Sequence, residues 1–382
     1  MSEGTAPLAG LRVLDLSRIL AGPWAAQLLA DLGADVIKIE SPQGDDTRRW
    51  GPPFVENADG SRDAAYFHAA NRGKRSVVID FSTSEGADEV RRLASDADVL
   101  IENFKLGGLD KYGLDYPSLA GLNPRLVYCS ITGFGHTGPY ADRPGYDFII
   151  QGMSGIMDVT GPPDGEPQKI GVAFADIFTG LYSVIAIQAA LAQRERTGRG
   201  QQIDMSLFDC MIGVLGNQAL NYLVSGESPT RLGNRHPNIA PYQVCPASDG
   251  WFILAVGNDK QFVAACQVLG LPEIANDERF ASNPDRLANV EALNEHVFAA
   301  TRQRTRDELL QAFDDSGVPA GPINTIEQAF TNPQVLAREL VLTMQRNGND
   351  IPGVRSPIRF SDADLELTTP SPELGSGPAD WR

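Results

Sequence analysis

The sequence predicts an α/β protein with a doubly wound, mostly parallel sheet and a second, smaller α/β domain. Three observations predict it. Strand–helix–strand units repeat through the first 132 residues. The stretch "SGESPTRLGNRHPN" (225–238) clusters Gly, Ser, Pro and charge, and a new strand–helix series follows it. The chain has 382 residues, enough for about two domains at roughly 100–200 residues each.

"RVLDL" (12–16) reads as a buried strand, and "PWAAQLLADLG" as the next helix, with Pro23 in its first turn and Gly33 as its stop. "DVIKIE", "RSVVIDF", "DVLIEN" and "LVYCSIT" read as further strands, with "SEGADEVRRLASDA" as a helix among them. Repeated units of this kind imply a Rossmann-like sheet covered by helices on both faces, with ligands beyond the carboxyl ends of its strands. A Gly- and Pro-rich loop from Gly133 precedes the apolar stretch "GVAFADIFTGLYSVIAIQAALAQ" (171–193). "QQIDMSL" is then a strand and "FDCMIGVLGNQALNYLVSG" one helix. The second unit holds the strand "GWFILAVG" and helices over "DKQFVAACQVLG", "ANVEALNEHVFAATRQR" and "TRDELLQAFDDSG"; Thr305 and Glu308 have capping-box spacing. The tail from Arg355 is expected to return to strand before a Pro- and Gly-rich end. The boundaries are placed at 1–222 for the first part of the large domain, 223–328 for the small domain and 329–382 for the return to the large one.

Composition excludes several functions. The formal charge of −17 argues against nucleic acid and anionic membrane surfaces as partners. Cys129, Cys210, Cys245 and Cys266 form no CxxC pair and read as reduced core residues of a cytoplasmic protein. The four histidines show no ligand spacing, so no metal site is expected. The N-terminus lacks the basic and apolar regions of a signal peptide. The apolar stretch at 171–193 is long enough to span a bilayer, but Asp176, Thr179, Tyr182 and Ser183 lie inside it, which favours a helix buried in a soluble core.

"GFGHTG" (133–138) fits GxGxxG, yet Pro139 follows and no helix pattern begins there. A dinucleotide site needs that helix N-terminus, so the segment reads as a flexible glycine-rich loop, whose functional version is a loop over an active site. Arg72, Lys74, Arg75, Lys105 and Lys111 lie beside strand ends and read either as an anion site or as a solvated face. Asp176 is a lone carboxylate near a helix start. It reads either as a cap or core-paired residue, or as a functional group kept ionised by the helix dipole, with Gly180 leaving space on the same face.

The stretches "LRVLDLSRILAGPWAAQLLADLGADVIKIE", "NRGKRSVVIDF", "DVLIENF", "CSITGFGHTGPYADRPGYD", "FADIFTGLYSVIAIQAAL" and "RTGRGQQIDMSLFD" together resemble the class III CoA-transferases of the CaiB/BaiF type, over nearly the whole chain. Within that family the chain resembles the succinyl-CoA:glutarate-type transferases, through "GDDTRRWGPPFV", "IAPYQVCPASDGWFILAVGNDKQFV" and "SGVPAGPIN". The resemblance implies an interlocked, ring-shaped homodimer and CoA transfer from an acyl-CoA, succinyl-CoA first, to a dicarboxylic acid. It implies no permanently bound cofactor, with CoA thioesters as substrate.

It also implies that Asp176 is the nucleophile and that Leu20, Ser41, Phe81, Lys111 and Tyr146 contact CoA, with Arg72, Lys105 and Asp147 added to that set. The glycine-rich loop and "QGMSG" are expected to supply a lid and oxyanion donors. Arg235 and His236 read either as a clamp for the acceptor's second carboxylate or as a solvated loop. The alternative within the family is a 2-methylacyl-CoA racemase; there a His stands where Tyr146 stands here, and a phenol is a weak base at neutral pH. A third reading is a non-enzymatic acyl-CoA-binding protein.

Overall fold

The computed structural model describes residues 6–57 and 59–381. Six strands form one sheet: β1 (Arg12–Asp15), β2 (Asp35–Glu40), β3 (Lys74–Val78), β4 (Val99–Glu102), β5 (Val127–Thr132) and β6 (Gln202–Ser206). Their spatial order is β3-β2-β1-β4-β5-β6, and every pairing is parallel. The order therefore reverses between β1 and β4, which is where ligands collect in doubly wound sheets.

Side-chain alternation along the strands builds two cores. Val13, Val36, Val99, Ile101, Val127 and Cys129 face one side, against α1 (Ala21–Asp31) and the long helix over Phe174–Thr197. Leu14, Ile37, Leu100 and Tyr128 face the other, against α2 (Ser84–Ser95) and α3 (Tyr116–Leu122). Thr83 caps α2 and Asp115 caps α3, each accepting from a first-turn amide, so both helices start where the chain leaves a turn.

Two more helices frame the site: α4 (Asp147–Met153) and α5 (Phe174–Thr197). Helix α5 is long and apolar enough to cross a membrane by length and composition, yet Ala175, Ile187, Ala190 and Leu191 bury one face in the sheet core. Its burial is one-sided, contrary to the expectation of an enclosed helix: Leu181, Tyr182 and Ile185 are exposed, Ile185 by 63%. The helix expected over 208–226 is two, α6 (Leu207–Gly213) and α7 (Asn217–Ser225). Gly216 breaks it with φ +56°, a left-handed conformation that glycine adopts at little cost.

The chain divides into two compact units. The first takes the residues up to Ile156, Lys169–Glu227 and the residues from Pro333 on; the second takes Met157–Gln168 and Ser228–Asn332. The second unit is built on an antiparallel sheet of β7 (Tyr242–Ala247), β8 (Gly250–Ala255) and β9 (Ala320–Pro322), in the order β9-β8-β7. Its core packs Phe252, Leu254, Phe262, Leu293, Leu309 and Phe313. The capping box of Thr305 and Glu308 is present.

In the first unit a hairpin, β10 (Val341–Arg346) with β11 (Asn349–Val354), precedes the tail. The tail holds no strand among its described residues, contrary to expectation. It is held instead by single contacts: the Gly377 amide donates to Ser76 O at 2.9 Å, and the Trp381 indole to Leu93 O at 3.2 Å. Proline at 357, 370, 372 and 378 removes the donors a ladder needs.

Candidate active site

A cavity of about 420 Å³ opens in the first unit. Its wall comes from the residues just after β1 (Arg18, Ile19, Ala21), just after β4 (Asn103 to Leu106) and at the end of β5 (Ile131 to Gly133). These are the strand ends on either side of the order reversal, extended to β5. Arg143, Tyr146, Asp147 and Asp176 complete it.

Asp176 lies in the first turn of α5, whose N-cap, Ala173, offers no side-chain acceptor. Asp147 supplies one from α4: its Oδ1 accepts from the Ala175 amide at 2.9 Å, and its Oδ2 accepts from Gln151 Nε2 at 2.9 Å. The Gln151 Oε1 accepts from the Ile170 amide at 2.9 Å, which ties the loop before α5 to α4. A helix that lacks its own cap is therefore capped by the neighbouring carboxylate.

Burial first, and then the negative charge of Asp147, raise the Asp176 carboxyl against the opposing hydrogen bond of the Ala21 backbone amide, leaving its pKa at about 7. The expectation that the helix dipole holds Asp176 ionised is corrected: desolvation and a like charge outweigh it, so the group is poised near neutrality. Gly180 is also reassigned. A Cβ there would lie 2.8 Å from Ala21 O and 3.1 Å from Trp24 Cδ1, so its missing side chain lets α5 approach α1. That approach places the Ala21 amide at Asp176.

The cavity gathers four of the expected residues: Asp176, Asp147, Tyr146 and Lys105. Phe81 and Lys111 sit beside it in an aromatic cluster. The Phe81 ring packs edge-on to Phe104 at 5.6 Å and to Tyr112 at 5.5 Å, and Lys111 lies 4.7 Å from the Tyr112 ring centre. Leu20 is buried at the N-cap of α1, and Ser41 is exposed, its Oγ donating to Gly44 O at 3.5 Å.

Arg72 is engaged elsewhere. Only 4% exposed, it makes a two-pronged pair with Asp31 at 2.8 and 2.7 Å and donates to Val354 O, so its guanidinium is held inside the fold. Lys74 and Arg75 are likewise engaged, with Asp15 and Asp35. The anion site expected of this basic run does not form, because its charges serve the interior. Arg235 and His236 lie in the second unit. Arg235 pairs with Glu291 at 2.5 Å, and His236 Nδ1 accepts from the Asn238 amide, so neither stands free.

Three amides of the expected lid segments are already engaged. In "GFGHTG" the Gly135 amide donates to Thr132 Oγ1, the His136 amide to Asp204 Oδ2, and the His136 ring bonds Ser130 Oγ. In "QGMSG" the Ser154 amide bonds Ile150 O. These amides are not available as oxyanion donors. Sequence reading missed Arg18 and Arg143, which give the wall its positive charge beside Lys105. Nothing in a lone arginine next to a strand end or in a loop marks it. Tyr66, whose phenol is raised by burial and by the charges of Asp176, Asp147 and Asp45, was also missed.

Among the described residues no group of three His, Cys, Asp or Glu side chains is placed to hold a metal. A carboxyl poised near neutrality, beside basic side chains at a switch point, suits nucleophilic attack on an anionic acyl thioester. The model of CoA-transferase family III matches residues 8–377. The chain belongs to that family.

The transferase is 59% identical over 372 residues to the succinate–glutarate CoA-transferase of Agrobacterium fabrum, covering 97% of this chain and 93% of that protein. It is 41% identical over 371 residues to the succinyl-CoA:glutarate CoA-transferase of Mus musculus, covering 97% of this chain and 84% of that one. The crystal structure of a CaiB/BaiF family protein from Brucella suis matches with a TM-score of 0.88 at 64% identity, over 97% of each chain. The sheet order is one that dinucleotide-binding proteins also use, so the family model and the relatives, not the sheet, carry the assignment.

Proposed function

We propose that this enzyme moves CoA from succinyl-CoA to a C4 to C6 dicarboxylic acid, glutarate first, with Asp176 as nucleophile. The observation that carries the reading is the Asp176 carboxyl itself: raised to about 7, opened to a cavity at the switch point, and held by the Ala21 amide. The names of the relatives supply the donor and acceptor.

The Asp176 carboxylate attacks the thioester carbonyl carbon, and the C–S bond breaks to release CoA thiolate. The product is a mixed anhydride between Asp176 and the donor acid. The thiolate attacks the aspartyl carbonyl, expelling the donor carboxylate and leaving an aspartyl-CoA thioester. The acceptor carboxylate attacks that thioester, releasing thiolate and forming a second anhydride. The thiolate then attacks the acceptor's acyl carbon, giving the new acyl-CoA and free Asp176. A carboxylate nucleophile keeps every step between activated acyl groups; a serine ester would be too poor a donor to a carboxylate. A raised pKa makes Asp176 more nucleophilic than an ordinary carboxylate once it is ionised. Water must be excluded while the anhydride exists.

Lys105, Arg18 and Arg143 bind the anionic groups of the substrates, and Phe81, Tyr112 and Lys111 lie along the path of the CoA moiety. Because Arg235 is paired with Glu291 and Arg18 with Asp46 at 3.0 Å, the acceptor's far carboxylate is assigned to Arg143, which lines the same cavity as Asp176. The chain acts as a homodimer in the cytoplasm. In support, α5 and α7 expose Leu181, Tyr182, Ile185, Leu220, Leu223 and Val224, the last by 83%. Exposed apolar area of this extent marks a protein interface. All four cysteines are free and buried. The interlocked ring is the form the family resemblance implies.

The test is a screen of C4 to C6 dicarboxylates with succinyl-CoA, for wild type and Asp176→Ala. The reading expects succinate release matched by new acyl-CoA, and at least a 10⁴-fold loss in the variant, on the order seen when a nucleophile is removed. Retained transfer by a folded Asp176→Ala contradicts it. Solvent deuterium at the acyl α-carbon without an acceptor would favour the racemase reading instead.

A further inference from the structure

Ile19, on the cavity wall, has φ +70°. A β-branched residue pays a steric penalty in this left-handed region and stays there only where its surroundings hold it. The next two residues are Leu20, the N-cap of α1, and Ala21, whose amide meets Asp176. The conformation of Ile19 therefore sets the direction of the amide that touches the nucleophile.

What holds it lies beneath the turn. The Ile19 amide donates to the Asp45 carboxylate at 3.3 and 3.4 Å. Asp45 is paired with Lys38 at 3.0 Å, and both are buried. The Lys38 ammonium also donates to Ser17 O at 2.8 Å. One ion pair thus grips the turn at two points, a carbonyl before Ile19 and the amide of Ile19 itself. Thr47 fixes Asp45, donating from its amide at 3.0 Å and from its hydroxyl at 2.8 Å. Gly22 closes the far side: a Cβ there would stand 2.3 Å from Ser17 Cβ.

We propose that the Lys38–Asp45 pair is a positioning device for catalysis, which holds Ile19 left-handed and so aims the Ala21 amide at Asp176. This rests on Asp176 being the nucleophile. The pair touches no substrate in this account; it acts through the backbone of the turn. A structural salt bridge needs no tie to a strained residue, whereas this one bonds the strained amide directly. The titratable and charged groups around the two ends are Asp15, Glu40 and Lys74 near the pair, Asp147, Arg18, Lys105 and Arg143 around Asp176, and Tyr66, which faces both Asp45 and Asp176.

The test is the pH dependence of kcat and kcat/KM for Asp45→Asn, Ile19→Gly and the double variant, beside Asp176→Ala. Asp45→Asn is expected to lower kcat about 10²-fold, the loss a small misplacement near reacting atoms produces. KM for the acyl-CoA should stay nearly constant. Without the Ala21 hydrogen bond, which favours the ionised carboxylate, the acid limb should move to higher pH. Glycine adopts the left-handed conformation without penalty, so Ile19→Gly should restore most of the lost kcat in the Asp45→Asn background and return the limb toward its original pH. Unrestored activity in a folded double variant overturns the proposal, as does an Asp45→Asn enzyme with wild-type kcat and pH limb.

Ile19→Pro covers the case in which Asp45→Asn does not fold. It fixes φ near −65° without altering the buried charges and should reproduce the same losses; wild-type kinetics for it overturn the proposal too. If Asp176→Ala is inactive while Asp45→Asn and Ile19→Pro are normal, only this inference falls. If Asp176→Ala is active, the reading beneath it falls as well.

Discussion

The Asp147 carboxylate accepts a 2.9 Å hydrogen bond from the Ala175 amide, one residue before Asp176. One side chain thus caps the helix that carries Asp176, the proposed nucleophile, and places a like charge beside it. Asp147→Asn keeps an acceptor oxygen and removes the charge. Because that charge raises the Asp176 pKa, the acid limb of kcat/KM is expected to move to lower pH. A pH–rate profile decides it; a limb unmoved or moved upward contradicts the electrostatic account. Glu102, which burial also raises to about 7, is the control, and Glu102→Gln should leave the limb in place.

Asp176 is expected to cost the fold stability. Its folded pKa of about 7 lies well above the ordinary aspartate value of 3.8. A group shifted this way stabilises the protein fully below its unfolded pKa and loses that contribution as pH rises toward the folded value. Asp176→Asn, which stays neutral, should nearly match wild type near pH 4 and exceed it at pH 8 by on the order of 4 kcal/mol. Urea unfolding at both pH values measures it. A difference that does not grow with pH would mean the carboxyl is not desolvated.

Gly180 tests the packing that brings the two helices together. Gly180→Ala puts a Cβ 2.8 Å from Ala21 O. The strain should cost about 1–3 kcal/mol and lower kcat more than it raises KM, because it displaces the amide at Asp176. Unchanged stability would show that α1 yields freely.

Arg72 and Lys105 separate a structural cation from a binding one. Arg72→Met leaves Asp31 buried without its partner and should cost about 3–5 kcal/mol, with KM for the acyl-CoA unchanged in the folded enzyme. Lys105→Ala, on the cavity wall, should leave stability within about 0.5 kcal/mol and raise that KM about tenfold. The reverse pattern would return Arg72 to the substrate.

The contrast between these two residues shows what a sequence can and cannot disclose. Most of the sheet strands are legible as short apolar runs, β6 as an alternating polar and apolar one, and the Thr305 capping box because its signal is local. Asp176 is legible as a lone carboxylate in an apolar stretch. The fate of Arg72, Lys74 and Arg75 is not, since each is decided by an acidic partner 35 to 60 positions away: Asp31, Asp15 and Asp35. The break at Gly216 hides inside an apolar run that continues a helical pattern. The left-handed Ile19 has no local signal at all, because a distant ion pair imposes it.

The central claim is that Asp176 exchanges acyl partners with CoA. The direct measurement is mass spectrometry of enzyme mixed with succinyl-CoA without acceptor, quenched in acid and digested. The account predicts CoA mass added to the peptide holding Asp176, lost on adding glutarate and absent from Asp176→Ala. CoA attached at another residue, or steady transfer with Asp176 unmodified throughout, would contradict it.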